Sequence, residues 1–463
     1  MPRFLLRLII SASIACASFI SPAQTSHTLT WAPGKSITLT LPDAFDISIA
    51  AGGLRRVRFF AQAPDGRIFV TGMDSLADNT RGSVFILDGF DPQTHRYTRV
   101  IHYLDHLRNP NNLAFYTDPA THQSWLYLPL TDKLVRYKYN PGDNAPSSPP
   151  ETLLRFPDYG LSYKYGGWHL TRTVAIASVH GAPRVFVAAG SSCNYCQERE
   201  VLRAAIVSID PDGKHPTVIA QGLRNAVDLH AVESLNGALF ATNMGDDHLG
   251  DQLPEDTFFQ IDTAPASPLN YGWPTCYFAQ GKPVFDKTPL PQLNDPRAFA
   301  PTPAGAALTA DSVYGKQTGV AAAGANLTAG GGRANGPDPN AALGQPPAPL
   351  RSCESVPSAY TTFTAHSSPL GFAFFPPGDA HLASTFLVAL HGASHPHIGT
   401  GYRIVRFSPA SRTPQPFLTG FLTHNNGRPV VHGRPCGILR IAPDTFLVSD
   451  DYLGLIYYIH PHS

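Results

Sequence analysis

The chain has 463 residues, which allows one large domain or two to three ordinary ones. Hydrophobic residues make up 43% of it and charged residues 15%, while 44 prolines and 39 glycines indicate many turns and short elements instead of long helices. Basic and acidic residues both number 34, so the formal net charge of zero argues against a nucleic-acid partner and against a polybasic membrane-binding surface.

The N-terminal residues 1–23 have the pattern of an export signal. Arg3 and Arg7 precede an apolar stretch that closes on small residues, and cleavage is expected after Ala23. This stretch is too short to predict a transmembrane anchor, and no later segment predicts a span. Cys16 lies where a lipoprotein cysteine could be, but simple export to the periplasm or the medium is the favoured interpretation.

Residues 24–463 are predicted to form an all-β, six-bladed β-propeller. A polar or basic residue, an apolar strand, a turn and a second apolar strand recur six times, mostly at the roughly 40 to 60 residues that a four-stranded blade needs. The repeats begin at Arg55, Arg108, Trp168, Leu223, Ser367 and Gly433. An Ala-, Gly- and Pro-rich insertion, residues 283–351, explains the one long spacing. We expect it to be a surface loop, with a lid over the active site as the alternative.

Five cysteines remain after the export signal, and cysteine pairs are expected in an oxidising compartment. Cys193 and Cys196 are close enough in sequence to form a local disulfide; zinc binding or redox exchange by this CxxC motif is the alternative. A bond between Cys276 and Cys353 would join the ends of the insertion. Cys436 is then left without a partner.

The first strand of each propeller blade lines the central channel, so the residues at the starts of these strands gather at one mouth. They include Arg56, Arg58, Asn111, His169, Arg224, Asn225, Ser368 and Arg434. Arginines from three blades and one imidazole suit an organic polyanion with a proton transfer nearby. Solvated channel residues of a purely structural propeller are the alternative.

The same regions carry a resemblance to a known family. In order along the chain, the motifs GGWHLTR, SSCNYCQE, QGLRNAVDL, ATNMGDDHLGDQLPED, NYGWPTCY, HSSPLGFAFF, LVALHGASHPHIGTGYRIVRF and GRPCGILRIAPDTFLVSDDYLGLIYYI resemble the soluble quinoprotein glucose/sorbosone dehydrogenases. The resemblance runs from about Leu41 to the C-terminus without the insertion, and the sorbosone and aldose dehydrogenase branch is the most similar. It implies a propeller that uses pyrroloquinoline quinone (PQQ) with calcium to oxidise a sugar.

The resemblance also implies which residues would bind PQQ and calcium. Arg224 and Asn225 match the cofactor-binding pair of the family, and Arg434 matches an arginine from the last blade. The main-chain carbonyls of Gly245 and Asp246 would bind calcium, a cation that takes oxygen ligands. The acidic run around them lacks the spacing of an EF-hand loop, and a solvated acidic turn explains most of it equally well.

His169 matches the general base of the family, and a pKa near 6.5 suits a base that must be neutral at ordinary pH. A core histidine bonded to a backbone carbonyl is the alternative for this residue. Arg58 and His391 lie in the right blades to contact PQQ, with a surface ion pair and a turn cap as their respective alternatives. Trp168 replaces an acidic residue of the glucose-oxidising branch, and His391 lies in the region where that branch has a lysine, so sugar specificity does not transfer.

The sequence therefore predicts an exported PQQ-dependent dehydrogenase of an aldose or sorbosone-like sugar, with an external quinone or small redox carrier as electron acceptor. A calcium-dependent propeller lactonase is one alternative, but it needs carboxylates at the channel mouth, where this chain has basic and amide side chains. A non-catalytic ligand-binding propeller is the other alternative, and the combination of His169 with Arg224 and Asn225 argues against it.

Overall fold

A computed structural model describes residues 23–157, 169–291 and 340–462. Most of its segments are short runs of apolar and β-branched residues bounded by turn residues, which favours strands over helices. The chain begins with three strands: β1 (Gln24–Ala32), β2 (Lys35–Pro42) and β3 (Phe45–Ala51). The first two form an antiparallel hairpin, and β3 belongs to a sheet that is completed only at the other end of the chain.

Three four-stranded antiparallel units follow one another along the first half of the chain. Blade 1 contains β4 (Val57–Gln62), β5 (Ile68–Gly72), β6 (Gly82–Asp91) and β7 (Arg96–Leu107). Blade 2 contains β8 (Ala114–Thr117), β9 (Ser124–Pro129), β10 (Lys133–Tyr139) and β11 (Glu151–Arg155). Blade 3 contains β12 (Arg172–Val179), β13 (Ala182–Ala189), β14 (Ala205–Ile209) and β15 (Thr217–Gln221).

Blade 4 is interrupted before its outer strand. Its first three strands are β16 (Ala226–Val232), β17 (Ala238–Asn243) and β18 (Asp256–Ile261). The chain then forms β19 (Leu269–Asn270), which runs parallel to β15, and the hairpin of β20 (Cys276–Ala279) with β21 (Lys282–Phe285). The outer strand of the blade, β22 (Thr361–Phe363), comes after the insertion.

The last two blades complete the ring. Blade 5 contains β23 (Pro369–Phe375), β24 (Thr385–Leu390), β25 (Arg403–Phe407) and β26 (Gln415–Leu418), and a hairpin of β27 (Leu422–Asn425) and β28 (Arg428–Val431) follows it. Blade 6 contains β29 (Pro435–Ala442), β30 (Thr445–Asp450) and β31 (Leu455–Pro461). Single-turn 3-10 helices occur at Glu233–Leu235, Ala341–Leu343 and Pro396–Ile398.

Strand β3 closes the propeller, because it is the fourth strand of blade 6 and pairs antiparallel with the C-terminal β31. The first strands of the blades contact one another around the axis: β4 lies between β29 and β8, and β12, β16 and β23 follow in turn. The predicted six-bladed β-propeller is therefore confirmed, and each predicted repeat coincides with one blade.

Apolar clusters fill the spaces between neighbouring blades. Between blades 4 and 5, for example, Phe240, Phe258 and Phe386 are each at most 1% exposed, and the ring of Phe258 meets that of Phe372 edge to face with centroids 4.9 Å apart. Burying one such side chain contributes about 1.5 to 3 kcal/mol. Packing of this kind fixes the blades relative to one another and so fixes the loops at their ends.

Two disulfides are present, as predicted: Cys193 with Cys196, and Cys276 with Cys353. Cys436 is a buried free thiol, also as predicted. The insertion predicted at 283–351 begins within β21, and its residues 292–339, like the export signal up to residue 22, lie outside the described residues. None of the helices in the described part is long and apolar enough to cross a membrane.

Candidate active site

The end of the channel at which the first strands begin is formed by two sets of connections. One set joins each blade to the next, and it carries His169, Arg224, Asn225 and Arg434. The other set joins the second and third strands of a blade, and in blades 3 to 6 it comprises residues 190–204, 244–255, 391–402 and 451–454. Because alternate connections of an antiparallel sheet lie at the same end, both sets meet at one mouth.

His169 is held by Ser191 on the second-to-third connection of blade 3. Its Nδ1 lies 3.0 Å from the Ser191 carbonyl oxygen and 2.9 Å from the Ser191 Oγ. The Ser191 hydroxyl donates to the carbonyl of Cys193 at 2.5 Å, so its oxygen is left to accept from the histidine. Since both neighbours are acceptors, Nδ1 carries the proton and Nε2 is the basic nitrogen.

The environment of His169 also keeps the imidazole neutral. Desolvation and the nearby Arg224 guanidinium hold the pKa of His169 well below its usual value of 6.5. The imidazolium form is therefore disfavoured at neutral pH, and a neutral imidazole with a defined tautomer can accept a proton.

Arg224 is fixed by acceptors on three sides. Its Nε and Nη2 donate to the carbonyl oxygen and the Oδ1 of Asn194, at 3.0 and 2.7 Å. Its Nη1 donates to the carbonyl of Gly245 at 2.5 Å, and Nη2 lies 3.1 Å from a carboxylate oxygen of Asp247. The guanidinium is thus held in one orientation before any ligand arrives.

Asn225 lies beside His169 because Gly190 separates them without a side chain. A Cβ on Gly190 would stand 2.5 Å from the Asn225 Oδ1 and 2.6 Å from the His169 Cβ, so only glycine permits this approach. The Asn225 amide nitrogen contacts the Met244 sulfur at 3.4 Å, whereas its buried Oδ1 has no hydrogen-bond partner among the described residues. A buried amide oxygen without a partner is costly, and a bound ligand with a donor would relieve that cost.

Asp247 connects Arg224 to a histidine of blade 4. The Nδ1 of His366 lies 3.1 Å from the Asp247 Oδ1, and its Nε2 lies 2.8 Å from the carbonyl of Gly250. Burial alone would lower the pKa of His366, but these two acceptors outweigh it and raise the pKa to about 9. The protonated His366 and Arg224 in turn overcome the desolvation of Asp247 and keep its pKa below the usual value.

Asp246 does not face Arg224 with its side chain. Its Oδ1 lies 2.7 Å from the Nδ1 of His248, whose Nε2 lies 2.7 Å from an oxygen of Asp286. The two carboxylates outweigh burial and raise the pKa of His248 to about 9. Tyr195 stacks on this imidazole with ring centroids 3.7 Å apart. The Asp246 carboxylate is therefore neutralised within the protein.

A second group of polar residues comes from blades 5 and 6. Arg434 donates to the carbonyls of Gly392 and Ala393 at 3.1 and 3.0 Å and to the Tyr402 hydroxyl at 2.9 Å. Its Nη1 is also 3.4 Å from the Nδ1 of His391. Like Arg224, it is oriented by backbone carbonyls from a neighbouring connection.

His391 and Arg58 share the buried carboxylate of Asp451. The Nε2 of His391 lies 2.8 Å from one Asp451 oxygen, and the Nη1 of Arg58 lies 3.1 Å from the other. Arg58 also donates twice to the Oδ1 of Asn111, at 3.2 and 2.9 Å. Desolvation lowers the pKa of His391 to about 4 despite Asp451. His391 is thus a neutral imidazole whose Nε2 carries the proton and whose Nδ1 faces Arg434.

One buried carboxylate joins the two groups. Asp256 accepts the backbone N–H of Gly245 with Oδ1 and that of Ser368 with Oδ2, both at 2.8 Å. The carbonyl of Ser368 then accepts the backbone N–H of His391 at 3.0 Å. A continuous path of hydrogen bonds therefore runs from Arg224 through Gly245 to His391 and Arg434.

The structure places all eight residues proposed from the sequence at this mouth, in two groups. His169, Arg224, Asn225, Gly245 and Asp246 form the first, and Arg434, His391 and Arg58 form the second, where Arg58 is the most deeply enclosed. Sequence reasoning missed Asn194, Asp247, His366 and Asp451, the partners that orient these residues. The motifs SSCNYCQE, GDDHLGDQ, HSSPLG and VSDDY that contain them were the only signals that could have found them.

A calcium site made of three converging carboxylates, as a lactonase would need, is absent from the described residues. The one group of three potential metal ligands found there is Cys193, Cys196 and Glu198, and its two sulfurs are joined in a disulfide. Asp247 and Asp451, two of the described carboxylates at the mouth, are each paired with a cation, and Asp246 is paired with His248.

Solved structures resemble the chain over nearly its whole length. The holo form of the pyranose dehydrogenase PQQ domain from Coprinopsis cinerea has 17% sequence identity and a TM-score of 0.60, covering 92% of this chain and 97% of its own. The PQQ-bound aldose sugar dehydrogenase from Streptomyces coelicolor has 16% identity and a TM-score of 0.51, covering 91% and 100%. The chain has the fold of the PQQ-dependent sugar dehydrogenases.

A third similar structure is the calcium structure of the Trichoderma reesei carbohydrate-active enzyme of family AA12. It has 18% identity and a TM-score of 0.59, and the match covers 91% of this chain and 96% of that one. No protein-family model matches the sequence, and neither does any curated protein. The resemblance predicted from the sequence motifs is confirmed by these structures at the level of the fold.

Proposed function

We propose that the protein is a PQQ-dependent dehydrogenase that oxidises an aldose or a sorbosone-like sugar with the help of calcium. The observation that carries the proposal is the pairing, at one mouth, of a neutral and oriented His169 with the fixed guanidinium of Arg224. The fold shared with PQQ-bound sugar dehydrogenases supports the same conclusion.

The residues present fit the cofactor. PQQ bears three carboxylates and two adjacent carbonyls, and it needs cations and amide groups around it. Arg224 and Arg434 supply cations whose orientation is fixed by backbone carbonyls, and Asn225 supplies an amide nitrogen that can donate to a carboxylate or carbonyl and that here contacts the Met244 sulfur at 3.4 Å. His391 would face the cofactor with the Nδ1 side of its ring, which contacts Arg434. Arg58 would have an indirect effect, because it binds the Asp451 carboxylate that also binds His391.

The protein's part in the reaction is to take a proton and to hold charge. When bound, PQQ supplies the acceptor for the hydride of the sugar and calcium supplies a cation that polarises that acceptor. His169 accepts the hydroxyl proton at Nε2, while Ser191 keeps the other nitrogen protonated. Arg224 favours negative charge near the base and disfavours a protonated imidazole before the substrate arrives.

Calcium would be held by main-chain oxygen atoms of Gly245 and Asp246. The Gly245 carbonyl accepts from Arg224, so a cation there would share this oxygen with the guanidinium. The Asp246 carboxylate is paired with His248, which leaves the Asp246 carbonyl as the contribution of that residue. The Asp247 carboxylate beside Arg224 is placed to offset the added charge.

We further propose that the enzyme is exported to the periplasm or the medium and passes its electrons to a quinone or a small redox carrier. The two disulfides support export, because such bonds persist in oxidising compartments. The mouth, which carries the partly exposed Asp247, is the side from which a sugar and then an acceptor would approach.

Reconstitution tests the proposal. The purified protein is loaded with PQQ and calcium, and dye reduction is followed with a panel of aldoses. We expect sugar-dependent turnover that chelation abolishes and added calcium restores.

His169→Ala should lower kcat at least about 100-fold while the Kd for PQQ changes less than about threefold. His102→Ala, on the exposed outer strand of blade 1, is the matched control and should leave both unchanged. Failure of the wild-type protein to bind PQQ, or equal turnover in His169→Ala, would refute the proposal.

A further inference from the structure

The loop closed by the Cys193–Cys196 disulfide lies between the proposed base and the proposed cofactor arginine. It belongs to the second-to-third connection of blade 3, and its four residues are at most 2% exposed. Its sequence suggests a local covalent link with a purely structural role. Its contacts indicate a second role in the site, because the loop contacts Arg224 directly and His169 through Ser191.

Asn194 is the residue of this loop that contacts Arg224. It accepts from the Nε of Arg224 with its carbonyl oxygen and from Nη2 with its Oδ1, so the two hydrogen bonds fix the plane of the guanidinium. The Oδ1 also accepts the backbone N–H of Asp247 at 2.9 Å, and the carbonyl accepts the indole N–H of Trp273 at 3.2 Å. Asn194 is thereby held by blade 4 as well as by its own loop.

The other end of the loop reaches His169. The carbonyl of Cys193 accepts the hydroxyl proton of Ser191, and this bond turns the Ser191 oxygen into an acceptor for the His169 Nδ1. Glu198 anchors the adjacent backbone, since its carboxyl oxygens accept the N–H and the Oγ–H of Ser192 at 2.7 and 2.6 Å. One short loop therefore fixes the plane of the arginine and, through the Ser191 hydroxyl, supports the tautomer of the base.

We propose that the disulfide loop 193–196 is a positioning element of the active site and that Asn194 acts as a positioning residue through Arg224. The disulfide restricts four residues to one conformation, in which the Asn194 oxygens face the guanidinium and the Cys193 carbonyl faces Ser191. Without it, the loop could adopt other conformations, and Arg224 would lose its two fixed acceptors. The inference rests on the proposed function insofar as PQQ binding reports the position of Arg224.

Paired removal of each disulfide separates positioning from stability. The variants are Cys193→Ala with Cys196→Ala, the matched control Cys276→Ala with Cys353→Ala, and Asn194→Ala. We measure the Kd for PQQ, the melting temperature of each protein, and the amide hydrogen exchange of the peptide that contains Asp247. The exchange measurement needs no cofactor, because the Asp247 N–H donates directly to Asn194.

We expect the loop variant and Asn194→Ala to weaken PQQ binding about tenfold and to speed exchange at Asp247, since hydrogen bonds to a charged group are lost. The control pair should lower the melting temperature more than the loop pair and leave PQQ binding within about twofold. Unchanged exchange at Asp247 in both test variants would overturn the inference, even if the wild-type protein bound no PQQ. The latter result alone would refute only the proposed function.

Discussion

Asp451 is the buried carboxylate on which the second group of mouth residues depends, and its neutralisation is the sharpest test of that group. Its side chain is fully buried and lies 3.1 Å from Arg58, which is only 4% exposed, and 3.6 Å from the more exposed Arg56. Asp451→Asn keeps the shape of the side chain but leaves the Arg58 guanidinium without its counter-charge. The amide also has one acceptor oxygen where the carboxylate has two, so either His391 or Arg58 loses its hydrogen-bond acceptor at this site.

The magnitude follows from burial. Breaking a buried ion pair by removing one partner typically costs about 3 to 5 kcal/mol, because the other charge stays desolvated. We expect Asp451→Asn to lower the free energy of unfolding by this amount. Arg58→Met in the same background removes the orphaned charge, so the double variant should be more stable than the sum of the single changes by about 2 kcal/mol. The partly exposed Arg56 should contribute little.

Equilibrium unfolding in urea, followed by fluorescence and circular dichroism, measures the four proteins of this cycle. The control is Asp88→Asn, which removes the partner of the exposed Arg99 on blade 1 and should cost less than about 1 kcal/mol. A loss below about 1 kcal/mol in Asp451→Asn, or strict additivity of the cycle, would show that Asp451 and Arg58 do not depend on one another in the folded protein.

Three further predictions concern proton and covalent linkages. Burial raises the pKa of the Asp228 carboxyl to about 8 from an ordinary 3.8. Between these two pH values the folded state keeps a proton that the unfolded state has lost. The free energy of unfolding should therefore fall with rising pH, by up to about 1.4 kcal/mol per pH unit. Urea unfolding from pH 5 to 8 should show a shallower fall in Asp228→Asn than in the wild type; equal slopes would contradict this. Because the pKa of His169 is held well below 6.5, kcat/KM should begin to fall on acidification only at a pH well below 6.5. A pH profile of kcat/KM that falls with an apparent pKa of 6.5 or above would be inconsistent with this environment. Removing Cys276–Cys353, whose partners are 77 residues apart, should lower the free energy of unfolding by about 4.5 kcal/mol, because this bond restricts a long loop in the unfolded chain. Removing Cys193–Cys196, whose partners are 3 residues apart, should lower it by about 2 kcal/mol. The reverse order in calorimetry would contradict this reasoning.

The fold was accessible from the sequence because each blade repeats the same local pattern. The short apolar runs of β4, β12 and β29, bounded by turn residues, can be recognised without any knowledge of the rest of the chain. The starts of these strands then place His169, Arg224 and Arg434 at one end of the channel by geometry alone. Both disulfides could be predicted for a similar reason, since one is local and the other spans an obvious insertion.

The partners of the site residues could not be predicted in the same way. Arg58 and Asp451 are 393 positions apart, and they meet only because β3 and β31 close the ring. Asn194 and Asp247 lie on connections whose lengths and sequences differ from blade to blade, so the repeat does not align them. Their roles depend on distances of about 3 Å between blades, which local patterns do not encode.

A crystal structure of the protein soaked with PQQ and calcium would show whether the mouth is the cofactor site. We expect cofactor density at the mouth, with carboxylates within hydrogen-bonding distance of Arg224 and Arg434, the Asn225 amide in contact, and the His169 Nε2 facing the bound cofactor. Cofactor bound elsewhere on the protein, or a mouth that stays empty at saturating PQQ, would contradict it.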